Sequence, residues 1–211
     1  MIHLVTGGSG SGKTTMCNIM AGFLPGDGGE ILFEGKPVCY ESAYQKIHGL
    51  QFMMQDHSDS LNQHLSVYTA VNEPLYLFGD TAEHRSEVKK ALNDVGLEST
   101  DLFLDRKIHT LSGGQRQRVA IARCLVTQPS VLIADEPTSM LDGSSKANLI
   151  RLLKGLQNEM GFSMLIVTHD LACALKISDR IYLLQEGVLD EVDNTLPPEE
   201  LEKMMYDSAA K

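Results

Sequence analysis

Gly7-Gly8-Ser9-Gly10-Ser11-Gly12-Lys13-Thr14 fits the pattern G-x-x-x-x-G-K-[ST], and what flanks it decides how the chain folds. Before it, Ile2-His3-Leu4-Val5-Thr6 reads as a short buried strand; after it, Thr14 to Ala21 reads as a helix. Strand, glycine-rich loop and helix in that order make a phosphate cradle. Glycines let backbone N–H groups close on phosphate oxygens with no Cβ in the way, and the helix adds its unpaired first-turn N–H groups and positive dipole end. In such a loop Lys13 reaches the outer phosphates as a point charge and the Thr14 hydroxyl ligates Mg²⁺, with Thr15 beside it in the first turn.

Working outward, the second half alternates strands and helices. Val131 to Ala134 reads as a strand, 144 to 160 as a helix, Met164 to Thr168 as a strand and Leu171 onward as a helix. That alternation predicts an α/β fold with a mainly parallel sheet covered by helices. On the 144–160 helix, Leu149, Leu152, Leu153, Leu156 and Met160 form the apolar stripe that packs on a sheet. Ile181 to Leu184 and Val188-Leu189 flank Glu186-Gly187 as a hairpin, and Pro197 onward is an acidic helix or a frayed tail.

Between the phosphate loop and this second half the pattern changes. Glu30 to Phe33 followed by Glu34-Gly35-Lys36-Pro37 reads as a strand entering a turn, and 47 to 54 as a further strand ending at Gln55. From Ser66, an N-cap, apolar residues recur at helical spacing to Gly79, with Pro74 marking a kink or break; a second helix runs from about Ala82 to Val95 and stops at Gly96. Helical periodicity set between strand-rich blocks predicts an inserted helical subdomain over 56–127, leaving 1–55 and 128–211 as the core.

The formal net charge of −10 removes general affinity for nucleic acid, which rests on Lys and Arg neutralising phosphates. Cys17, Cys39, Cys124 and Cys173 are scattered and form neither a C-x-x-C pair nor a zinc-spaced cluster, so a reducing compartment and no structural metal are expected. No apolar run approaches the length of a membrane span and no leader pattern stands at the front, which predicts a cytosolic chain or one docked on a membrane assembly.

Two further stretches carry chemistry. Asp135-Glu136 follows a strand of apolar residues, at the sheet edge where open α/β folds place ligands. Asp135 is placed to hold the Mg²⁺ shell, and Glu136, one residue further out, to orient and deprotonate an attacking water. Alone, the pair reads more readily as an exposed acidic strand end; a phosphate loop in the same chain reverses that preference and favours the site. Leu111-Ser112-Gly113-Gly114-Gln115 precedes a helix through Arg123 and reads as a second anion site, with Ser112 as N-cap and two glycines leaving backbone donors open. Taken alone it is also an ordinary capped helix. One nucleotide does not need two phosphate sites in one chain, so the second is expected to serve a nucleotide held by another protomer in a head-to-tail dimer.

The phosphate loop with Gln55, the LSGGQ stretch at 111–115, Asp135-Glu136, Ser139-Met140-Leu141-Asp142 and His169 together resemble the nucleotide-binding subunits of ATP-binding cassette transporters, in order and approximate spacing. The resemblance implies that Gln55 links the Mg²⁺ and water site to the helical subdomain, Asp142 lies in a loop crossing the dimer interface, and His169 contacts the γ-phosphate. It also implies that Ser112, Gly113, Gly114 and Gln115 grip the partner's ATP. Gln55 to Asn62 followed by Glu73-Pro74-Leu75 is similar to the subgroup serving peptide and nickel importers, with His57 and Gln63 departing where that pattern has prolines.

The activity implied by the resemblance is ATP hydrolysis with Mg²⁺, by a chain that pairs with a second cassette and with integral membrane permease subunits at the inner face of the cell membrane. The alternatives are a soluble cassette ATPase outside transport and a non-hydrolysing regulatory cassette in a mixed dimer. Six residues precede the loop and none is Phe, Tyr or Trp, whereas the family carries an upstream aromatic that stacks on adenine. Such stacking contributes about 1–3 kcal/mol in nucleic-acid binders, so weakened ATP affinity and comparable use of ATP and GTP are expected.

Overall fold

The computed structural model describes residues 1–37, 48–54, 61–77, 83–139 and 141–207, apart from the side chains of residues 173, 206 and 207. Gln55, His57, Cys39 and Met140 lie outside the described residues.

Along the chain β1 (Ile2–Thr6) leads into α1 (Lys13–Met20), then the hairpin β2 (Leu32–Phe33) and β3 (Lys36–Pro37), and β4 (Leu50–Met53). Helices come next: α2 (Val67–Leu77), α3 (Arg85–Asp94), α4 (Asp101–Leu104), a 3-10 turn at Ile108–Thr110 and α5 (Gly113–Leu125). The alternating half is β5 (Val131–Asp135), α6 (Gly143–Met160), β6 (Ser163–Val167), α7 (Leu171–Ala174), β7 (Arg180–Gln185), β8 (Val188–Val192) and α8 (Pro198–Asp207). The chain divides into two units, Met1–Gly29 with Ile133–Lys211, and Glu30–Leu132, and β5 runs from the second into the first.

In the first unit the strands lie in the order β5-β6-β1-β7-β8. β1 pairs in parallel with β6, Leu4 opposite Ile166, and with β7, Leu4 opposite Ile181; β8 closes the edge antiparallel to β7. The expected mainly parallel α/β sheet is therefore present. Its strands are apolar because both faces are covered: Ile2, Leu4, Ile133, Ala134, Ile166 and Val167 have no exposed surface. The β7–β8 turn has Glu186 at φ 48° and Gly187 at φ 80°, and the β2–β3 turn repeats this with Glu34 and Gly35. Left-handed residues at both turn positions match the right-handed twist of the flanking strands.

α6 buries Leu149, Ile150, Leu153, Leu156 and Gln157. The stripe is thus rotated from the expected one: Leu152 and Met160 are half-buried, and Gln157 turns inward because its Nε2 donates to the Phe162 carbonyl at 3.0 Å. Ser163 opens β6, one residue before the predicted Met164, and the Pro197 segment forms a helix.

In the second unit α2 continues past Pro74 to Leu77, so the expected break does not occur there. Val71, Pro74 and Leu75 are all buried, and packing of this face outweighs the single donor that proline lacks. α3 starts at Arg85, later than the predicted Ala82, and ends before Gly96, whose φ of 72° suits a helix stop. β4 begins at Leu50 and lies beside the start of β5, with Ser130 N–H donating to the Gly49 carbonyl at 2.9 Å. The segment before α2 runs alongside the one before α5: Ile108 N–H reaches Leu65 O at 3.1 Å, and Val67 N–H reaches Arg106 O at 2.9 Å. Leu92, Phe103, Leu104, Val119 and Ile121 form the core beneath.

Candidate active site

β1 delivers the chain into the loop at Thr6. A Cβ on Gly7 would lie 2.4 Å from the Leu184 carbonyl oxygen, so only glycine passes there. Gly10 and Gly12 turn the loop at φ 79° and 99°, in the left-handed region that glycine alone enters without strain. Gly12 is the N-cap of α1 and, having no side chain, leaves the first-turn amides without a side-chain partner. Lys13 Nζ donates to the Gly7 and Gly8 carbonyls, both at 2.9 Å, and approaches Ser11 Oγ at 3.5 Å. Burial lowers the Lys13 pKa, and the neighbouring charges of Glu136 and Asp135 oppose that shift. Ser9, Thr14 and Thr15 are exposed. The thiol of Cys17, buried in α1, is pushed up to about 12 by burial, with the Asp135 charge adding, and is inert.

Asp135 ends β5 almost fully buried. Burial raises its carboxyl pKa, a hydrogen bond from the Thr14 side chain lowers it, the Glu136 charge raises it and Lys13 lowers it. Its Oδ1 is buried and has no hydrogen-bond partner among the described residues. A buried carboxylate oxygen without a donor, beside a threonine hydroxyl, is the donor set a hard cation takes. Mg²⁺ keeps waters and phosphate oxygens in its shell, so two protein oxygens suffice and no cluster of three acidic or histidine side chains is needed. None is present among the described residues. Thr14 and Asp135 therefore fit Mg²⁺; Gln55, the third expected ligand, lies outside the described residues.

Glu136 comes next at φ 48°, unusual for a non-glycine residue. Its N–H donates to the Val167 carbonyl at 2.7 Å, which fixes this conformation against the end of β6. Its carboxylate is held on both oxygens. Oε1 accepts from the His169 backbone N–H at 3.2 Å and lies 2.8 Å from His169 Nδ1; Oε2 accepts from Thr168 Oγ1 at 3.1 Å. The His169 side chain is otherwise 62% exposed, so one ring nitrogen holds Glu136 while the ring edge faces solvent. Behind it, Asp170 pairs with Lys146 of α6 at 2.8 Å. The structure thus gathers Lys13, Thr14, Asp135, Glu136 and His169 within one unit. Thr168, which holds Glu136 Oε2, was missed by motif reading; the sequence signal was a hydroxyl immediately before the histidine.

The second loop is built separately, in the other unit. Ser112 caps α5: its Oγ accepts from Gln115 N–H at 3.2 Å, and Gln115 Oε1 accepts from Ser112 N–H at 3.0 Å. This capping box uses the Gln115 side chain. Gly113 and Gly114 are exposed, and a Cβ on either would meet nothing within 4 Å. Asp142 caps α6, accepting from the amides of Ser144 and Ser145, each at 3.0 Å, and from both hydroxyls.

Fold and loop together define a phosphate-loop α/β cassette. Residues 1–139 match the family model described as ABC transporter, and the chain belongs to that family. It is 41% identical over 198 residues to the oligopeptide transport ATP-binding protein AmiF of Streptococcus pneumoniae, covering 90% of this chain and 64% of the relative. It is 38% identical over 189 residues to the oligopeptide transport ATP-binding protein OppF of Haemophilus influenzae, covering 87% of this chain and 56% of the relative. The chain thus spans less than two thirds of the length of these relatives. Among solved structures it superposes on CbiO1 of Clostridium perfringens, part of the ABC transporter complex CbiONQ, with a TM-score of 0.79 at 29% identity, covering 97% of this chain and 80% of that one. It also superposes on the ATP-binding cassette MJ0796, a dimer in a post-hydrolysis state bound to ADP and Pi, with a TM-score of 0.76 at 28% identity, covering 93% and 86%.

Proposed function

We propose that this chain binds and hydrolyses ATP as the cassette of an ABC importer for peptides, paired with a second cassette and docked on membrane-embedded permease subunits at the cytoplasmic face. The observation that carries the reading is the buried, unpartnered oxygen of Asp135 beside the Thr14 hydroxyl, on the same loop that holds Lys13 and one residue before Glu136. Names of the relatives support the substrate class, and the dimeric cassette bound to ADP and Pi supports pairing and hydrolysis. No helix among the described residues is long and apolar enough to cross a membrane.

In this reading Lys13 leaves the Gly7 and Gly8 carbonyls for the β- and γ-phosphate oxygens when ATP enters, and the vacant amides of α1 take the remaining phosphate charge. Thr14 and Asp135 would hold Mg²⁺, which would supply charge neutralisation to the phosphate groups. Glu136 orients the attacking water through its carboxylate and accepts its proton as the water oxygen bonds to the γ-phosphorus and the bond from that phosphorus to the β–γ bridging oxygen breaks, releasing ADP and phosphate. His169 stays against Glu136 through Nδ1 and meets the γ-phosphate with its exposed edge, while Gln55 senses the site and passes its state to residues 56–127 acting as a helical subdomain. Ser112, Gly113 and Gly114 close on the ATP of the second cassette, with Gln115 holding the cap and Asp142 beside the interface. The retained Lys13, Asp135, Glu136 and His169 favour hydrolysis over a purely regulatory cassette.

The test is Glu136→Gln. Nucleotide binding should persist, turnover should fall by about a hundredfold to ten-thousandfold, and an ATP-loaded dimer should accumulate in size-exclusion chromatography. Wild-type turnover in this variant would remove Glu136 as the base.

A further inference from the structure

The Glu136 carboxylate is held on its Oε2 side by Thr168. Thr168 stands one step past the end of β6, 2% exposed. Its Oγ1 accepts from the Asp170 backbone N–H at 3.0 Å and donates to Glu136 Oε2 at 3.1 Å. The direction of this relay is fixed at both ends: an amide only donates and an ionised carboxylate only accepts, so the hydroxyl proton has one place to point. Asp170 is itself tied down, its carboxylate 2.8 Å from Lys146 Nζ. Main-chain contacts reinforce the arrangement, since Glu136 N–H donates to Val167 O and Thr168 N–H donates to Val5 O at 3.2 Å. Thr168 Oγ1 thereby joins the turn after β6 to the Glu136 carboxylate at the end of β5, and Asp170 ties the same turn to α6.

We propose that Thr168 is a positioning residue for hydrolysis: its hydroxyl holds Oε2 of Glu136 so that Oε1, shared with His169, is the oxygen presented to the water. Without that donor Oε2 is released, and only the His169 contacts on Oε1 restrain the carboxylate about its last torsion, which is broad and roughly two-fold. The inference rests on Glu136 acting as the base. It assigns to Thr168 an effect on turnover and none on nucleotide affinity, because the phosphates are held by the loop and α1. Valine is the informative replacement, close in shape but without the hydroxyl.

The experiment measures steady-state ATPase activity and separate nucleotide affinity for the full chain carrying Thr168→Val, Thr168→Ser, Glu136→Gln and the Val/Gln double change, with thermal melting of each. A hydrogen bond to a charged group sets the scale, so Thr168→Val should lower kcat about ten- to hundredfold with KM and ATP affinity within about twofold. Thr168→Ser should recover kcat to within about threefold. In the Glu136→Gln background the valine should have no further effect on residual turnover. If Thr168→Val does not fold, Thr168→Ser against Thr168→Ala supplies the same contrast. Unchanged kcat in the valine variant, serine as poor as valine, or equal losses in affinity and turnover would each overturn the proposal. Full activity in Glu136→Gln alone would instead remove the base assignment on which it stands, so the two failures are distinguishable.

Discussion

Among the described residues α1, α5 and α6 each follow a loop that carries candidate site residues, and they treat their first turns differently. α1 starts at Gly12 with no side chain to cap it; α5 starts at Ser112, whose box with Gln115 takes up the Gln115 amide and leaves Gly113 and Gly114 open; α6 starts at Asp142, which fills its end with a carboxylate. The unpaired amides at a helix start attract an anion whatever the sequence. What differs is whether the protein supplies that anion itself. α1 has no side-chain cap and Lys13 stands in its first turn; α6 has the Asp142 carboxylate on its Ser144 and Ser145 amides. α5 is intermediate, stable by itself yet with two exposed glycine amides.

The sharpest break in this comparison is removal of the charge beside the vacant turn. Lys13→Ala leaves the α1 amides in place and deletes the ammonium now resting on the Gly7 and Gly8 carbonyls. ATP affinity should fall about ten- to hundredfold, the scale of charged hydrogen bonds lost to phosphate, as read by fluorescent-nucleotide titration. Affinity within twofold of wild type would mean that the vacant turn alone suffices.

Gly114→Ala sharpens the contrast between α1 and α5. The new Cβ meets nothing within 4 Å, so the fold has room for it. Replacing glycine in a helix should stabilise the protein by about 0.5–1 kcal/mol, seen as a higher urea midpoint. The methyl group nevertheless stands where the second cassette's phosphate approaches in the proposed dimer, and ATP turnover should fall at least about tenfold, the smallest loss expected for a charged hydrogen bond. Stability and activity moving in opposite directions is the signature of an open end kept for a ligand; a gain in both would make α5 an ordinary capped helix.

Range decides how much of this was legible beforehand. The loop, its strand and α1 are local, and G-x-x-x-x-G-K-[ST] placed them in that order. Both Glu-Gly turns were visible for the same reason. α4 escaped notice because four residues carry no periodicity, although Thr100 caps it through the Phe103 amide. The rotated face of α6 was hidden because Gln157 is buried by a bond to Phe162 beyond the helix end. At the site, Asp135, Glu136 and His169 could be found by spacing and resemblance. The left-handed backbone of Glu136 and its grip by Thr168 could not, since both depend on how the ends of β5 and β6 come together.

The smallest effect concerns the filled helix end. Hydrogen bonds from the Ser144 side chain, then from the Ser145 backbone and side chain, hold the Asp142 carboxyl far below the usual carboxylate range, against a slight opposing effect of burial. A depressed folded pKa means that the unfolded chain binds the proton more readily. The stabilisation is therefore fully present above the unfolded value, about 3.9, and is lost as pH falls from there toward the lower folded value. Because Asp142 is exposed, solvent screening keeps the contribution modest. Asparagine caps comparably but does not titrate. Urea midpoints of wild type and Asp142→Asn should thus differ most near neutral pH and converge as the pH drops below about 4, the range in which a free carboxylate protonates. A gap that stays constant through that range would mean that α6 is capped by shape alone, and that its end is no more occupied by charge than that of α5.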